Sequence, residues 1–412
     1  MRICVIGSGV FGIAVMRELG RVLPEHSTRH WFSEDTEAGG LWNAHSRRSR
    51  VYDALYLNTS RESSAFTGTR IDAAPGVHFV HHTRYAAYLA ETAGRCPATE
   101  RRWGCPVTSV SAQPGGGWLV RYDTPDGARE ETFDVVVDAT GHSGEPHAPD
   151  VPTAARTDYA RLHSARYRNA DAHRGQRVLV VGNGASAVDI ACELTGTAAA
   201  VGISIRTPKW YLPKMLLGRP VDRSSDGGLR HTPVLGPLVA AGTQAVVRRI
   251  VGSYRDYGLE EPRTPLAAAT PVLSDHFLAH LAHGRLTPYP GVAELGETAV
   301  RFTDGSSDKF DTVITATGYR DTSEHLPPPV RDMLRHGRLG LRLEAPGFPA
   351  LYLLNRFRCG DAAVRCAEVQ AAVVARALLH PPGEPGRQLP GRYAVPARIT
   401  ARTLQKVYEV DR

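Results

Sequence analysis

Two stretches of this chain carry glycines at the spacing that handles phosphate. ICVIGSGVFGIAVMREL, residues 3–19, contains Gly-x-Gly-x-x-Gly at Gly7, Gly9 and Gly12. VLVVGNGASAVDIACEL, residues 178–194, repeats the pattern at Gly182, Gly184 and Ala187, with Ser186 in the turn between. In such a loop the first glycine permits the tight turn and the second lets backbone approach a pyrophosphate. The third small residue lets helix and strand pack closely, with the phosphates at the helix N-terminus. Each motif follows a predicted strand, Arg2 to Ile6 or Arg177 to Val181, and opens an apolar-periodic helix. Two dinucleotides in one chain are therefore expected.

The two loops differ where ribose is read, about 20 residues downstream. Glu34 lies 22 residues past Gly12, a carboxylate suited to ribose hydroxyls. Arg206 lies 19 residues past Ala187, with Lys209 close behind and no acid nearby. A cation there suits a 2′-phosphate, so the second site is expected to prefer NADPH to NADH. FDVVVDATGH (133–142) and FDTVITATGY (310–319) each put a buried apolar strand ahead of Ala-Thr-Gly, where small residues let the chain turn beside a cofactor.

Other chemistries find little support. The histidines form no metal-ligand spacing, and His81 and His82, adjacent in a strand, would point to opposite faces. No metal is expected. Asp189 and Glu193, four apart on the second predicted helix, read as helix-surface charge or packing against the glycine loop. The six cysteines show no C-x-x-C pair, which argues against a redox dithiol and for reduced, mostly buried thiols in a cytoplasmic protein.

At 412 residues the chain fits two or three units with real cores, and 42% hydrophobic with 22% charged residues is a globular composition. The net charge of +7 comes from scattered arginines without a basic arm, so no nucleic-acid partner is expected. The apolar start at Ile3 to Ile13 is punctuated by glycine and lacks a cleavage region, so it does not read as a secretory signal. PVLGPLVAAGTQAVV at 233–247 is too short and broken to span a bilayer, and no stable membrane anchor is expected.

Taken in order, these motifs resemble the flavin-containing monooxygenase family, class B flavoprotein monooxygenases, and its shorter bacterial members. The likeness runs through GGLW (39–42), LNTSRE (57–62), GNGASAVDIA (182–191), ATGY (316–319) and AEVQA (367–371). It implies an α/β fold with two Rossmann-like domains in glutathione-reductase-like topology. Residues 1–168 and 316–412 would form the FAD domain and 169–315 the NADPH domain, with the Pro- and Gly-rich stretch 210–270 shaping the substrate entrance. The implied reaction reduces FAD with NADPH and uses a C4a-hydroperoxyflavin to oxygenate a nitrogen or sulfur atom of a small molecule in specialised metabolism. The protein's own task would be positioning and water exclusion. Baeyer-Villiger oxidation of a ketone, or a non-oxygenating NADPH-dependent flavin oxidoreductase or redox sensor, remain alternatives. A homodimer stays open.

Residue by residue, the resemblance assigns Gly7, Gly9 and Gly12 to the FAD pyrophosphate. It sets Leu41 and Trp42 beside the flavin, counts Gly40 and Thr59 among the cofactor-binding residues, and puts Asn58 close to the isoalloxazine, where its amide can hold the peroxide and the nicotinamide amide by hydrogen bonds. Gly182, Gly184, Ser186, Ala187 and Arg206 go to NADPH, and Gln370, on a C-terminal helix expected at Glu368 to Leu379, goes to the flavin. Alignment on GGLW puts Ser33, not Glu34, at the family's ribose-binding acid, so either residue could serve. Of the family's F-x-G-x-x-x-H-x-x-x-Y/F fingerprint only HSARY survives, with His163 and Tyr167. Thr157 and Tyr159 hold its first two positions, and His163 reads as a hinge residue.

Overall fold

In the computed structural model the described residues are 1–142, 144–216, 218–222, 235–321, 323–339, 343–356 and 362–379. They form two compact units, one built from Met1–Ser49, Arg61–Glu145 and the described residues from Arg320 on, the other from the described residues of Arg50–Ser60 and Pro146–Tyr319. Cys359, the tail from Pro381 and part of the 210–270 stretch lie outside the described residues.

The first unit holds a five-stranded sheet in the order Leu351–Leu353, Val135–Asp138, Arg2–Ile6, Thr28–Phe32, Glu100–Arg102. Every neighbouring pair is parallel. Parallel sheets are covered on both faces, which is why Ile3 to Ile6 and Val135 to Asp138 read as unbroken buried runs rather than alternating ones. Val10–Val22 buries Phe11, Ile13, Val15, Met16 and Leu19, and the Ala363–Leu379 helix packs against it. Each such apolar side chain contributes roughly 1.5–3 kcal/mol through burial. An antiparallel meander, Val107–Ala112, Trp118–Thr124 and Gly127–Phe133, leads into Val135–Asp138.

The second unit repeats this plan. Its five parallel strands run Thr287–Tyr289, Ala200–Ser204, Arg177–Val181, Thr312–Thr315, Ala160–His163. A second antiparallel meander, Val292–Leu295, Val300–Phe302 and Ser307–Asp308, leads into Thr312–Thr315. The Ala185–Leu194 helix buries Ala187, Val188, Ile190, Ala191 and Leu194 in a core shared with Val178, Val180, Ile203 and Trp210.

Several sequence expectations shift. The units part at 145/146 and 319/320, where the sequence reading set 168/169 and 315/316, because Ala160–His163 is already an edge strand of the second sheet. Residues 50–60 also join the second unit, although the sequence reading placed them with the first. His81 is not in a strand: it caps the His82–Gly94 helix, its Nδ1 accepting from Thr83 N. The C-terminal helix begins at Ala363, five residues ahead of the expected Glu368. Cys4, Cys96, Cys105 and Cys192 are free, but Cys366 is disulfide-bonded, against the expectation of reduced thiols throughout.

Candidate dinucleotide sites

The two glycine loops are built by the same hydrogen bonds. Gly7 N donates to Phe32 O at 2.8 Å and Ala139 N to Ile6 O at 2.8 Å; in the other unit Gly182 N donates to Ser204 O at 3.0 Å and Ala316 N to Val181 O at 2.8 Å. Gly7 has φ +104° and Gly182 φ +132°, values that side chains resist. A Cβ at Gly7 would stand 2.7 Å from the Ala139 carbonyl oxygen, and one at Gly182 would stand 2.5 Å from that of Ala316. Each Ala-Thr-Gly segment is thus the wall against which its glycine loop closes. At Gly12 a Cβ would strike Gly7 O at 1.9 Å, so helix and strand meet there with no room to spare.

Above the loops there is space for a ligand. A Cβ at Gly9 would meet nothing nearer than Gly40 Cα at 3.7 Å, and one at Gly184 would meet nothing within 4 Å. Gly9 and Gly184 are the N-caps of their helices, and no side chain caps either. First-turn N–H groups therefore remain for an anion, Ser186 stands exposed beside them, and the buried Ala187 seats the second helix on its sheet. Both cradles fit a pyrophosphate.

Around the first loop the sequence-predicted residues gather closely. Gly39 N donates to Ser8 O at 3.0 Å, and Gly40, with φ +56°, lies so near that a Cβ would be 2.9 Å from Gly9 Cα. Gly40–Trp42 forms a single 3-10 turn, Leu41 exposed and Trp42 set edge-on to Tyr85 at 4.9 Å. Ser33 ends the Thr28–Phe32 strand, buried, its hydroxyl 2.7 Å from that of Ser8 and accepting from Asp35 N at 3.2 Å. Glu34 faces the other way, to an exposed ion pair with Arg48 at 2.8 Å. Gln370 is wholly buried: its Oε1 accepts from Asn355 N at 2.8 Å and its Nε2 donates to Cys366 Sγ at 3.3 Å, which makes it a support under the Asn355 turn.

One buried cluster at this end of the first sheet had no signal in the sequence. Asp138, at the end of its strand, is fully buried and ion-paired to Arg356, itself almost wholly buried. It also accepts from Thr140 Oγ1 at 2.7 Å and faces His325 Nε2 at 3.3 Å. Arg356 further donates to Asp321 and to Gly141 O. Burial alone would raise the Asp138 carboxyl; Arg356, His325 and Thr140 outweigh it and hold it well below the usual carboxylate range.

In the second unit Asn183 Nδ2 donates to Thr207 O, tying the loop to the segment after Ala200–Ser204. Arg206 lies on that segment, exposed and without an ion pair to any described residue. His163 donates through Nε2 to Gly318 O at 3.1 Å and accepts at Nδ1 from Ala165 N at 3.1 Å. Both contacts belong to a neutral ring, and burial lowers its pKa accordingly. It joins the edge strand to the Ala-Thr-Gly turn of its own unit.

Residues 57–60 are gripped by charged groups of the same unit. Leu57 O accepts from Lys214 Nζ at 3.3 Å, and Ser60 donates its N–H and its hydroxyl to Asp222 Oδ2 at 2.7 and 2.8 Å. Asn58 Nδ2 donates to Asp189 Oδ2 at 3.1 Å, while its Oδ1 is buried without a partner. Thr59, half-buried, lies between them. Asp189, read from the sequence as surface charge or loop packing, instead holds Asn58; Tyr52 OH donates to the same carboxylate oxygen at 3.4 Å. Burial raises the Asp189 carboxyl against the pull of Asn58, Lys214, Tyr52 and His276. Burial pushes the Cys4 thiol well up, Cys96 up to about 11 and Cys192 up to about 12, the opposite of an activated thiolate. No metal-binding group of three or more His, Cys, Asp or Glu occurs among the described residues. Among them, too, no helix is long and apolar enough to cross a membrane.

Residues 1–336 match the flavin-binding monooxygenase-like family. The chain belongs to that family. Dimethylaniline monooxygenase [N-oxide-forming] 2 of Rattus norvegicus is 30% identical over 338 residues, covering 77% of this chain and 61% of that protein. The chain thus spans about three fifths of the length of such relatives. Among solved structures, a flavin-containing monooxygenase from Stenotrophomonas maltophilia superposes with TM-score 0.64 at 20% identity, covering 92% of this chain and 98% of that one. S-allyl-L-cysteine S-oxygenase from Allium sativum gives 0.61 at 20% identity, covering 92% and 76%. These likenesses bear out the two Rossmann-type domains expected from the sequence.

Proposed function

We propose that this protein is an FAD- and NADPH-dependent monooxygenase that places one atom of O₂ on a nitrogen or sulfur of a small molecule. The second oxygen atom leaves as water, with NADPH as the two-electron donor. The observation that carries the reading is the repeated glycine-loop construction, with one helix N-terminus per unit that no side chain caps, within a chain of the flavin-binding monooxygenase-like family. A relative named for N-oxide formation and a structural neighbour named as an S-oxygenase support the choice of acceptor atom.

FAD, when bound, supplies the electron transfer and the oxygen activation. The chain's residues bind and orient. Gly7, Gly9 and Gly12 form the floor for its pyrophosphate, Gly40, Leu41 and Trp42 lie beside that loop, and Ser33, rather than Glu34, presents a hydroxyl at the strand end where ribose is read. In the second unit Gly182, Gly184 and Ala187 take the pyrophosphate of NADPH, with Ser186 at the first turn and Arg206 answering the 2′-phosphate. Asn58 contacts the reacting region through its amide, with Thr59 as its neighbour. Nothing in this scheme demands a strong acid or base, in keeping with a site made of amides, hydroxyls and backbone.

The test is oxygen transfer itself. Purified protein supplied with FAD, NADPH and ¹⁸O₂ is challenged with a panel of amines and thioethers, and products are read by mass spectrometry. A product heavier by one ¹⁸O atom is expected. NADPH consumption that yields only H₂O₂ with every nucleophile would overturn the reading.

A further inference from the structure

The two Ala-Thr-Gly turns are held in different ways. In the second unit the carbonyl of Gly318 accepts from His163 Nε2 at 3.1 Å, and Thr315, which ends the strand, donates its hydroxyl to Leu162 O at 3.4 Å. In the first unit Asp138 stands in the place of Thr315, and the carbonyl of Gly141 accepts from Arg356 Nη1 at 2.8 Å. A neutral ring does in one unit what a buried cation does in the other.

The guanidinium of Arg356 reaches Asp138, Asp321 and Gly141 O at once, and Asp138 in turn accepts from the backbone N–H and the hydroxyl of Thr140 at 3.2 and 2.7 Å. The neighbouring Asn355 takes φ +60°, uncommon for a residue with a side chain. Its carbonyl accepts from His142 Nδ1 at 3.0 Å, and its N–H donates to Gln370 Oε1 at 2.8 Å. Residues 355 and 356 therefore clasp the stretch 138–142. That stretch is also the wall of the first glycine loop: Ala139 N donates to Ile6 O, and a Cβ at Gly7 would lie 2.7 Å from Ala139 O. Arginine suits such a clasp, because its planar fork fixes several acceptors in one geometry, whereas a lysine ammonium is a point charge without that fork.

We propose that Arg356 is a positioning residue for the flavin: it clamps the first Ala-Thr-Gly turn against the Gly7 loop and so keeps the pyrophosphate cradle in its binding shape. This rests on the assignment of FAD to the first unit. Arg356 then acts on the cofactor through the turn and sets how long it is retained.

The test separates holding the cradle from holding the fold. FAD-loaded wild type, Arg356→Lys and the double variant Asp138→Asn with Arg356→Leu are diluted, and flavin release is followed by its recovered fluorescence. Urea midpoints of the flavin-free proteins and NADP⁺ dissociation constants of the flavin-saturated ones are measured alongside. The double variant strands no fully buried charge, so its midpoint should stay close to that of the wild type. It should nonetheless release FAD about tenfold faster or more, the contribution of one hydrogen bond from a charged donor. Arg356→Lys, which keeps the charge but not the fork, should fall between the two. NADP⁺ binding should be equal in all three, because the turn of the second unit is held by His163.

Equal FAD release from the wild type and the double variant would overturn the proposal. So would a joint loss of FAD and NADP⁺ affinity in step with a lowered midpoint, which would mean that the cluster only supports the fold. If the double variant does not fold, Arg356→Lys decides alone, and release at the wild-type rate overturns the proposal. Failure of the wild type to bind FAD would instead overturn the assignment of FAD to the first unit.

Discussion

Arg356 and Asp138, separated by 218 positions in the chain, meet as an ion pair with side-chain exposures of 2% and 0%. A pair so buried stabilises little against a well-packed apolar pair, but removing one partner strands the other charge. Arg356→Leu is therefore expected to destabilise the protein by about 3–5 kcal/mol, read from urea unfolding midpoints. Asp138→Asn together with Arg356→Leu should cost less than the sum of the two single changes.

The same cluster predicts a pH dependence. Asp138 has its folded-state pKa lowered, burial being outweighed by Arg356, His325 and Thr140. Its contribution to stability is then fully present above the unfolded carboxylate value of about 4 and is lost as pH falls below it. Unfolding midpoints between pH 7 and 3 should drop in the wild type more steeply than in Asp138→Asn. Parallel curves for the two proteins would show that Asp138 is not the group responsible.

Gly7→Ala and Gly182→Ala should act on different ligands. Each adds a Cβ at positive φ against a carbonyl oxygen of its own unit. The first should lower the flavin retained per protein, and the second should weaken NADP⁺ binding while flavin content holds. Absorbance of the purified protein and calorimetry separate the two effects.

Ser33 and Glu34 divide in the same way. Glu34 lies in an exposed pair with Arg48, so Glu34→Gln should leave flavin retention unchanged and alter stability by less than about 1 kcal/mol. Ser33→Ala removes the hydroxyl that meets Ser8 in the glycine loop and should speed flavin loss on dialysis.

Arg206→Ser tests coenzyme choice. An exposed guanidinium without an ion pair to any described residue is available to a 2′-phosphate. Its loss should reduce the preference for NADPH over NADH by about tenfold or more, since hydrogen bonds to charged groups contribute roughly 1.5–3 kcal/mol. The ratio of kcat/KM values for flavin reduction by the two coenzymes reads this directly.

What the sequence determined by itself was local: two glycine loops, each between a strand and a helix, and two Ala-Thr-Gly strand ends. Those patterns are legible because backbone conformation, strand burial and helix starts depend on residues a few positions apart. Arg2–Ile6 and Arg177–Val181 form over the expected spans for that reason. Only the tertiary structure decided which distant groups share a surface. Asp189 lies 131 positions from Asn58, and nothing near either residue announces that a carboxylate will turn the amide. Ser33 and Glu34 differ by one position, yet one faces the loop and the other faces solvent, a distinction set by where the strand ends. Arg356 becomes a buried cation only because the Leu351–Leu353 strand lays it beside the end of Val135–Asp138. Spacing along the chain encodes local geometry, whereas charge pairing depends on which strands the packed core brings together.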